Sequence, residues 1–373
     1  MAGIITQADA LGARVTKTAD GIDLNVIWQE MAELATLWNS GKNALCDLLS
    51  YKTTASGEPV AQSPVVEEFE EASEFGVPRS LSPAPNYALV SYTLKDYDLA
   101  SRFTWKFLRS ATAEQVRAQV TRMIESDQLL RQKLVLKRIF DPMRETNEFG
   151  NVCYGLYDGD TTVSPMVPPR FNGQTFDSGH SHFFSSGAPA LDSGDVEMLI
   201  TEVTHHGYGA ERGDTILLLA NPIDAETIST WRAGVANANS ATAKFDFIPS
   251  DIVPAYLTRD TIVGEKPPAE VNGLPVLGSY GRALVVETTV IPRGYVAVAS
   301  TRGVDSPYNV VALRQHQQPE WQGLRFLPGN WQGYPLIESF GMRTVGVGTR
   351  HRGAAAVLQV GTGTTYNPPA LNW

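Results

Sequence analysis

At 373 residues, with 43% hydrophobic and 19% charged side chains, the chain can bury a sizeable core, and its length suggests two or three lobes. A formal net charge of −10 argues against a basic nucleic-acid binder, whose affinity comes from clustered Lys and Arg. Cys46 and Cys153 are too few for a disulfide scaffold and lack metal-site spacing, so packed thiols in a reducing compartment are expected, and no apolar run is long enough to span a bilayer.

Residues 1–21 are polar and weakly patterned. Residues 1–10 lack the basic and apolar regions of a signal peptide, so a soluble protein that is not exported by a cleaved signal is expected. Residues 24–28, 31–38 and 44–49 read as short helical pieces, with Trp28, Leu34 and Trp38 as core positions. The character then changes. Pro59, Pro64, Pro78, Pro83 and Pro85 punctuate residues 51–109, while 65–75 and 87–95 have strand-like composition, which predicts an excursion with two extended limbs. Glu67, Glu68, Glu70, Glu71 and Glu74 lie on the outgoing limb, and Lys95, Arg102, Lys106 and Arg109 on the return. A solvated face is the plain reading of those charges. A loop of this length without its own core nevertheless needs support, and the interleaved Phe69, Phe75, Tyr87, Tyr92 and Tyr97 favour its lying on a neighbouring copy of the chain.

The longest helical pattern follows, over residues 112–139. Thr112 and Gln115 form a capping box, Val116, Val120, Met123, Leu130 and Leu134 make an apolar face with one polar slip at Asp127, and Asp141-Pro142 is the stop. Such a helix is roughly 40 Å long. Residues 152–166 and 171–184 read as short strands, and 191–206 as a helix stopped by Gly207. The apolar run 214–220 predicts a buried strand feeding a helix that ends near Trp231. Three consecutive strands are expected over 276–299, and a C-terminal strand pair over 336–360 beside the long helix, with Arg343, Arg350, His351 and Arg352 between its apolar runs.

Chemistry is sparse. His180 and His182 share one side of an extended segment, and His205 and His206 end the next helix, which could suit a metal. Asp177 is the one carboxylate at obvious ligand spacing, and a histidine at a helix C-terminus is favoured by the dipole alone, so structural histidines are expected and a histidine-dependent metalloenzyme is the rival reading. Asp158-Gly159-Asp160 reads as a turn, since the remaining ligands of a calcium loop are missing. There is no nucleophile elbow, Walker sequence or dinucleotide fingerprint. No catalytic, cofactor-binding or metal residue is predicted, which points to an interaction protein.

The order of arm, long two-limbed loop, long helix, mixed lobe and C-terminal strands resembles the Hong Kong 97-like (HK97-like) major capsid proteins of tailed bacteriophages. Phe176-Asp-Ser-Gly-His-Ser-His182, the run from Asp214 to Pro222, the stretch from Phe340 to Gly361 and Tyr366-Asn-Pro-Pro369 resemble a subgroup from actinobacterial phages. The resemblance implies an α+β capsid fold with an N-terminal arm (1–49), an extended loop (50–109), a peripheral domain (110–208 and 336–373) with a spine helix at 112–139, and an axial domain (209–335). It further implies pentamers and hexamers closing an icosahedral shell around double-stranded DNA without sequence-specific binding. The product would be a virion capsid made in the host bacterial cytoplasm, with portal, decoration and separate scaffolding proteins as partners. The region ahead of the arm is too short for a built-in scaffolding domain. Glu67, Glu68, Glu70, Glu71, Lys95, Arg102, Lys106 and Arg109 are then inter-subunit contact candidates. Some members of the family crosslink a loop lysine to a neighbour's asparagine; Lys52, Lys95 and Lys106 lie in or beside this loop, but noncovalent contacts are expected. An encapsulin-like nanocompartment shell is the alternative, disfavoured by the long loop and polar start.

Overall fold

In the computed structural model, which describes residues 15–41, 43–61, 71, 72, 74, 76, 77, 87–160, 167–169, 171–250, 267–328 and 336–371, the chain divides into two units. The first takes Met1–Asn43, Leu94–Arg131 and Gln315–Gly346; the second takes Ala44–Thr93, Gln132–Arg314 and Val347–Trp373. These boundaries fall elsewhere than the arm, loop, peripheral and axial divisions implied by the resemblance.

In the first unit, the Asp23 carboxylate accepts from the Asn25 amide at 2.8 Å and opens a helix over Leu24–Ser40. One continuous helix stands where two pieces are expected, because Gln29 and Glu30 between them are good helix formers. Ile27, Met31 and Ala35, spaced by four, are buried. Ile27 and Met31 share a core with Leu108, Ala113, Val116 and Val120, flanked by Phe103 and Phe326. Leu34, expected in the core, is 44% exposed: it lies one residue, about 100° of rotation, off that stripe.

The long helix runs over Ala113–Phe140. Gln115 Oε1 accepts from the Thr112 amide at 3.0 Å, half of the expected capping box, while the Ala113 amide is held by the Asp20 carboxylate at 3.0 and 3.1 Å. Its buried face is Val116, Val120, Met123, Asp127 and Arg131, and then Val135, Leu136, Ile139 and Phe140. Leu130 and Leu134 are only half-buried. The polar slip at Asp127 is thus part of the buried stripe, which continues through Arg131 instead of Leu130. Asp127 is paired with Arg343 and accepts from Trp38 Nε1 at 2.7 Å.

Lys95–Thr104 is a strand of this unit, antiparallel to Leu336–Thr349 from Lys95↔Val345 to Thr104↔Leu336; Leu324–Pro328 lies on the other side of Leu336–Thr349. The expected return limb of the loop is therefore largely sheet. The expected C-terminal strand pair does not form either. Ala355–Gln359 pairs with Tyr295–Thr301 in the second unit, and buried His351 and Arg352 fill the connection where a hairpin would need a tight turn.

The second unit is built on a seven-stranded sheet in the order Phe183–Ser185, Ala355–Gln359, Tyr295–Thr301, Thr215–Ala220, Ala283–Glu287, Gly278–Tyr280, Phe247–Pro249. Of the strands expected over 276–299, Gly278–Tyr280 and Ala283–Glu287 are antiparallel neighbours, but Ala283–Glu287 and Tyr295–Thr301 are not adjacent. Thr215–Ala220 sits between these two, parallel to Ala283–Glu287 and antiparallel to Tyr295–Thr301; its apolar run suits a central strand covered on both faces. A helix over Ser193–Thr204, opened by a reciprocal Asp192–Asp195 capping box, packs on Tyr295–Thr301 and Ala355–Gln359. Asn221 caps the helix Pro222–Ser229. Cys46 and Cys153 are buried thiols outside any disulfide, as expected.

Candidate functional site

A two-stranded ribbon, Gly57–Ala61 antiparallel to Tyr87–Ser91, belongs to the second unit. An isolated hairpin is marginal in water, so its root decides how firmly it is held. At that root Tyr51, Val60, Val90, Tyr92 and Ala312 form a small apolar cluster, and Glu58 sits among polar partners. The hydroxyls of Tyr51 and Tyr92 donate to Glu58 Oε1, the latter at 2.5 Å, and Arg350 Nη1 donates to the same oxygen. The Arg350 guanidinium also stands 4.7 Å above the Tyr51 ring. Burial works to raise the Glu58 pKa, but the two tyrosine hydroxyls and the Arg350 charge outweigh it and hold the carboxyl below the ordinary range. Burial is also the first cause of the rise in the Tyr92 pKa, keeping its hydroxyl a donor. A second arginine, Arg314, donates to the Tyr92 carbonyl at 3.0 Å and forms a fork with Glu148 at 2.5 and 3.0 Å. Gly348 permits the closest approach: a Cβ there would meet Tyr92 Cδ1 at 2.4 Å and the Ser91 carbonyl at 2.6 Å.

The predicted contact residues fall on both units. Glu67, Glu68 and Glu70 lie outside the described residues, as do Phe69 and Phe75; Glu71 and Glu74 are exposed. Lys95 and Arg102 are exposed on the strand Lys95–Thr104, where Arg102 pairs with Glu338 at 3.0 Å, and Lys106 and Arg109 are exposed on the helix Trp105–Ser110. The basic set is thus presented by a strand and a helix, not by a free loop. Sequence reasoning singled out Tyr92 and Arg350 separately but did not bring the root together, since Tyr51, Glu58, Tyr92, Arg314 and Arg350 are scattered; the signal that could have found it is Glu58 beside a proline in an otherwise apolar strand.

The four histidines do converge. His180 and His182 precede the strand Phe183–Ser185, and His205 and His206 follow the helix Ser193–Thr204. The Nε2 atoms of His180 and His206 are 2.9 Å apart, those of His182 and His206 2.9 Å, and those of His180 and His182 3.2 Å. Phe176 covers them, with its ring centroid 4.3 Å from that of His206. Asp177, the expected carboxylate, instead accepts from the Gly179 amide at 2.9 Å. Glu202 takes its place, with Oε2 3.2 Å from His205 Nε2 and 3.6 Å from His180 Nε2. Burial pushes His182 down to about 3 and His205 to about 4, lowers His180 and His206, and pushes Glu202 up to about 7. The turn at Asp158-Gly159-Asp160 is held by Arg144, 2.8 Å from Asp158 and 3.0 Å from Asp160.

No protein-family model matches the chain, and no curated protein does. A solved structure from Mycobacterium phage Patience is 38% identical, with the alignment covering 100% of this chain and 96% of that chain at a TM-score of 0.72. Fainter likenesses include the capsid of an empty GTA particle, 15% identical over 86% of this chain and 91% of that chain at a TM-score of 0.46. Another is the holo-SrpI encapsulin complex from Synechococcus elongatus, 15% identical over 90% of this chain and 96% of that chain at 0.43. The identity to the mycobacteriophage structure, sustained over the whole chain, bears out the resemblance read from the sequence: the chain belongs to the HK97-like family of tailed-bacteriophage major capsid proteins, and it is a structural protein of the virion that forms an icosahedral shell.

Proposed function

We propose that this chain assembles as pentamers and hexamers around the double-stranded DNA of an actinobacterial tailed phage, is made in the host cytoplasm, and carries no enzymatic activity. The observation that supports this most is the 38% identity with a mycobacteriophage structure over the full chain. The net charge of −10 suits enclosure of DNA without tight phosphate binding. In the family's terms, the arm is 1–49, the extended loop 50–109 with the ribbon at its base, the peripheral domain 110–208 and 336–373, and the axial domain 209–335. Glu67, Glu68, Glu70 and Glu71 of one subunit face Lys95, Arg102, Lys106 and Arg109 of another, so that opposite charges set the pairing and its rate more than its strength. Scaffolding, portal and decoration proteins are its partners.

The test is electron microscopy of the purified chain, coexpressed with its phage's scaffolding protein, alongside a variant with Glu67, Glu68, Glu70 and Glu71 replaced by lysine. Closed shells from the wild type and a soluble, unassembled variant are expected. Normal shells from the variant would remove the charge contact, and DNA-free particles formed in infected cells would remove the genome-enclosing role.

A further inference from the structure

Outside the ribbon root and the exposed charges, the second unit holds three imidazole nitrogens that face one another. A neutral imidazole carries one N–H and one lone pair. His182 Nδ1 is 2.7 Å from the Ala355 carbonyl, which only accepts, so that nitrogen carries the proton and Nε2 of His182 offers its lone pair to the centre. That contact fixes the tautomer in the manner of the outer partner of a metal-bound histidine. Hydrogen bonding alone accounts poorly for the triangle. With one Nε2 committed as acceptor, two N–H···N bonds at most can form among three nitrogens, yet all three edges are 2.9–3.2 Å.

A second observation comes from the other side of His180. Glu202 Oε2 and His205 Nε2 are both buried and neither has a hydrogen-bond partner, although they stand 3.2 Å apart. A buried carboxylate oxygen left without a donor is costly, and here it lies 3.6 Å from His180 Nε2, where a cation beside the triangle would compensate it.

We propose that His180, His182 and His206 bind one divalent transition-metal ion through their Nε2 atoms, with Glu202 supplying negative charge beside it. Three imidazoles select zinc or its neighbours over the oxygen-seeking magnesium and calcium. Metal–nitrogen bonds of about 2.0–2.1 Å at tetrahedral angles place donors about 3.3 Å apart, so the ion opens the triangle by a few tenths of an ångström. The fourth position is left to water. The site is a staple: it ties the segment that leads into Phe183–Ser185 to the end of the helix Ser193–Thr204, two elements on the seven-stranded sheet. Its role is structural, and it stands independently of the assembly reading.

Untagged chain, purified without chelator, is analysed for metals by mass spectrometry, and chelator-stripped chain is titrated with Co²⁺ while visible absorption is followed. About one zinc per chain and a tetrahedral cobalt spectrum are expected, with chelation lowering the melting temperature. His180→Gln, at the half-buried corner, should weaken cobalt binding at least about tenfold. Wild-type chain that retains no metal and gives only the spectrum of hydrated cobalt overturns the proposal, as does a His180→Gln variant that binds as the wild type does. The titration of the wild type stands even if the variant fails to fold.

Discussion

Replacing Asp127 by alanine tests whether the polar break in the long helix is a structural necessity. Its side chain is 2% exposed and that of Arg343 5% exposed, and the carboxylate takes both nitrogens of the Arg343 fork, the second at 2.8 Å, together with Trp38 Nε1 at 2.7 Å. Removing one partner of such a buried pair costs about 3–5 kcal/mol. The orphaned indole N–H alone would cost about 1–3 kcal/mol, but the groups share one site, so the two figures do not add. We expect about 4–5 kcal/mol, a large part of the roughly 5–15 kcal/mol that stabilises a typical domain. Asp127→Asn keeps an acceptor for Trp38 but loses the charge, and should fall between the wild type and the alanine variant. Asp127→Leu combined with Arg343→Met removes that pair but leaves Arg131, 3.6 Å from the lost carboxylate, and Trp38 Nε1 without it, so it should recover only part of the loss, by at least about 1 kcal/mol relative to the alanine variant. Urea unfolding of the unassembled chain, followed by tryptophan fluorescence, gives all four values at comparable slope. A loss under about 1 kcal/mol in Asp127→Ala, or a double variant as unstable as the single one, would refute the reasoning.

The remaining predictions concern the ribbon root and the end of the long helix. The Glu58 pKa in the folded chain is lower than its ordinary value of 4.5, so its contribution is present in full above that value and is lost as pH falls through the folded pKa. The stability gap between the wild type and Glu58→Gln, measured by denaturation across pH 7 to 3, should therefore close below about pH 4.5; a gap independent of pH would mean that the carboxylate charge is irrelevant. Leu136→Ala, at a fully buried position, should cost about 2–5 kcal/mol, whereas Leu130→Ala at a half-buried one should cost about 1 kcal/mol. Equal losses in the same unfolding assay would return Leu130 to the core face.

Much of the fold was legible because its elements carry local signals. The long helix, the helix Ser193–Thr204 and the strand Thr215–Ala220 all lie where periodicity, caps and an apolar run placed them. Pairing was not legible, since a strand's composition says that it has neighbours without saying which. Lys95–Thr104 looked like the limb of a loop because its partner, Leu336–Thr349, lies more than two hundred residues on. The insertion of Thr215–Ala220 between two strands expected to be adjacent has the same origin. The helix face was misread at its centre for a different reason. Scoring apolarity alone rejects Asp127 and Arg131 and prefers Leu130, whereas a buried ion pair occupies the stripe. The histidines were seen, but their mutual distances and the approach of Glu202 depend on how a helix end docks beside a strand.

The ribbon root shows why a shell subunit of this family would place its buried polar groups where it does. Two strands supply too little apolar surface to fix their own direction, and the cluster of Tyr51, Val60, Val90, Tyr92 and Ala312 is small. Apolar contact is nondirectional, so such a cluster would hold the ribbon without aiming it. Hydrogen bonds to charged groups have direction, and here one carboxylate oxygen of Glu58 receives two tyrosine hydroxyls and an arginine. Arg314 reaches the Tyr92 carbonyl on the adjoining stretch of backbone. With Gly348 admitting Tyr92 at a distance no side chain would allow, a few groups fix how the base of the ribbon is seated. Directional bonds at the root therefore govern how the ribbon is seated, while the apolar groups govern only whether the root forms.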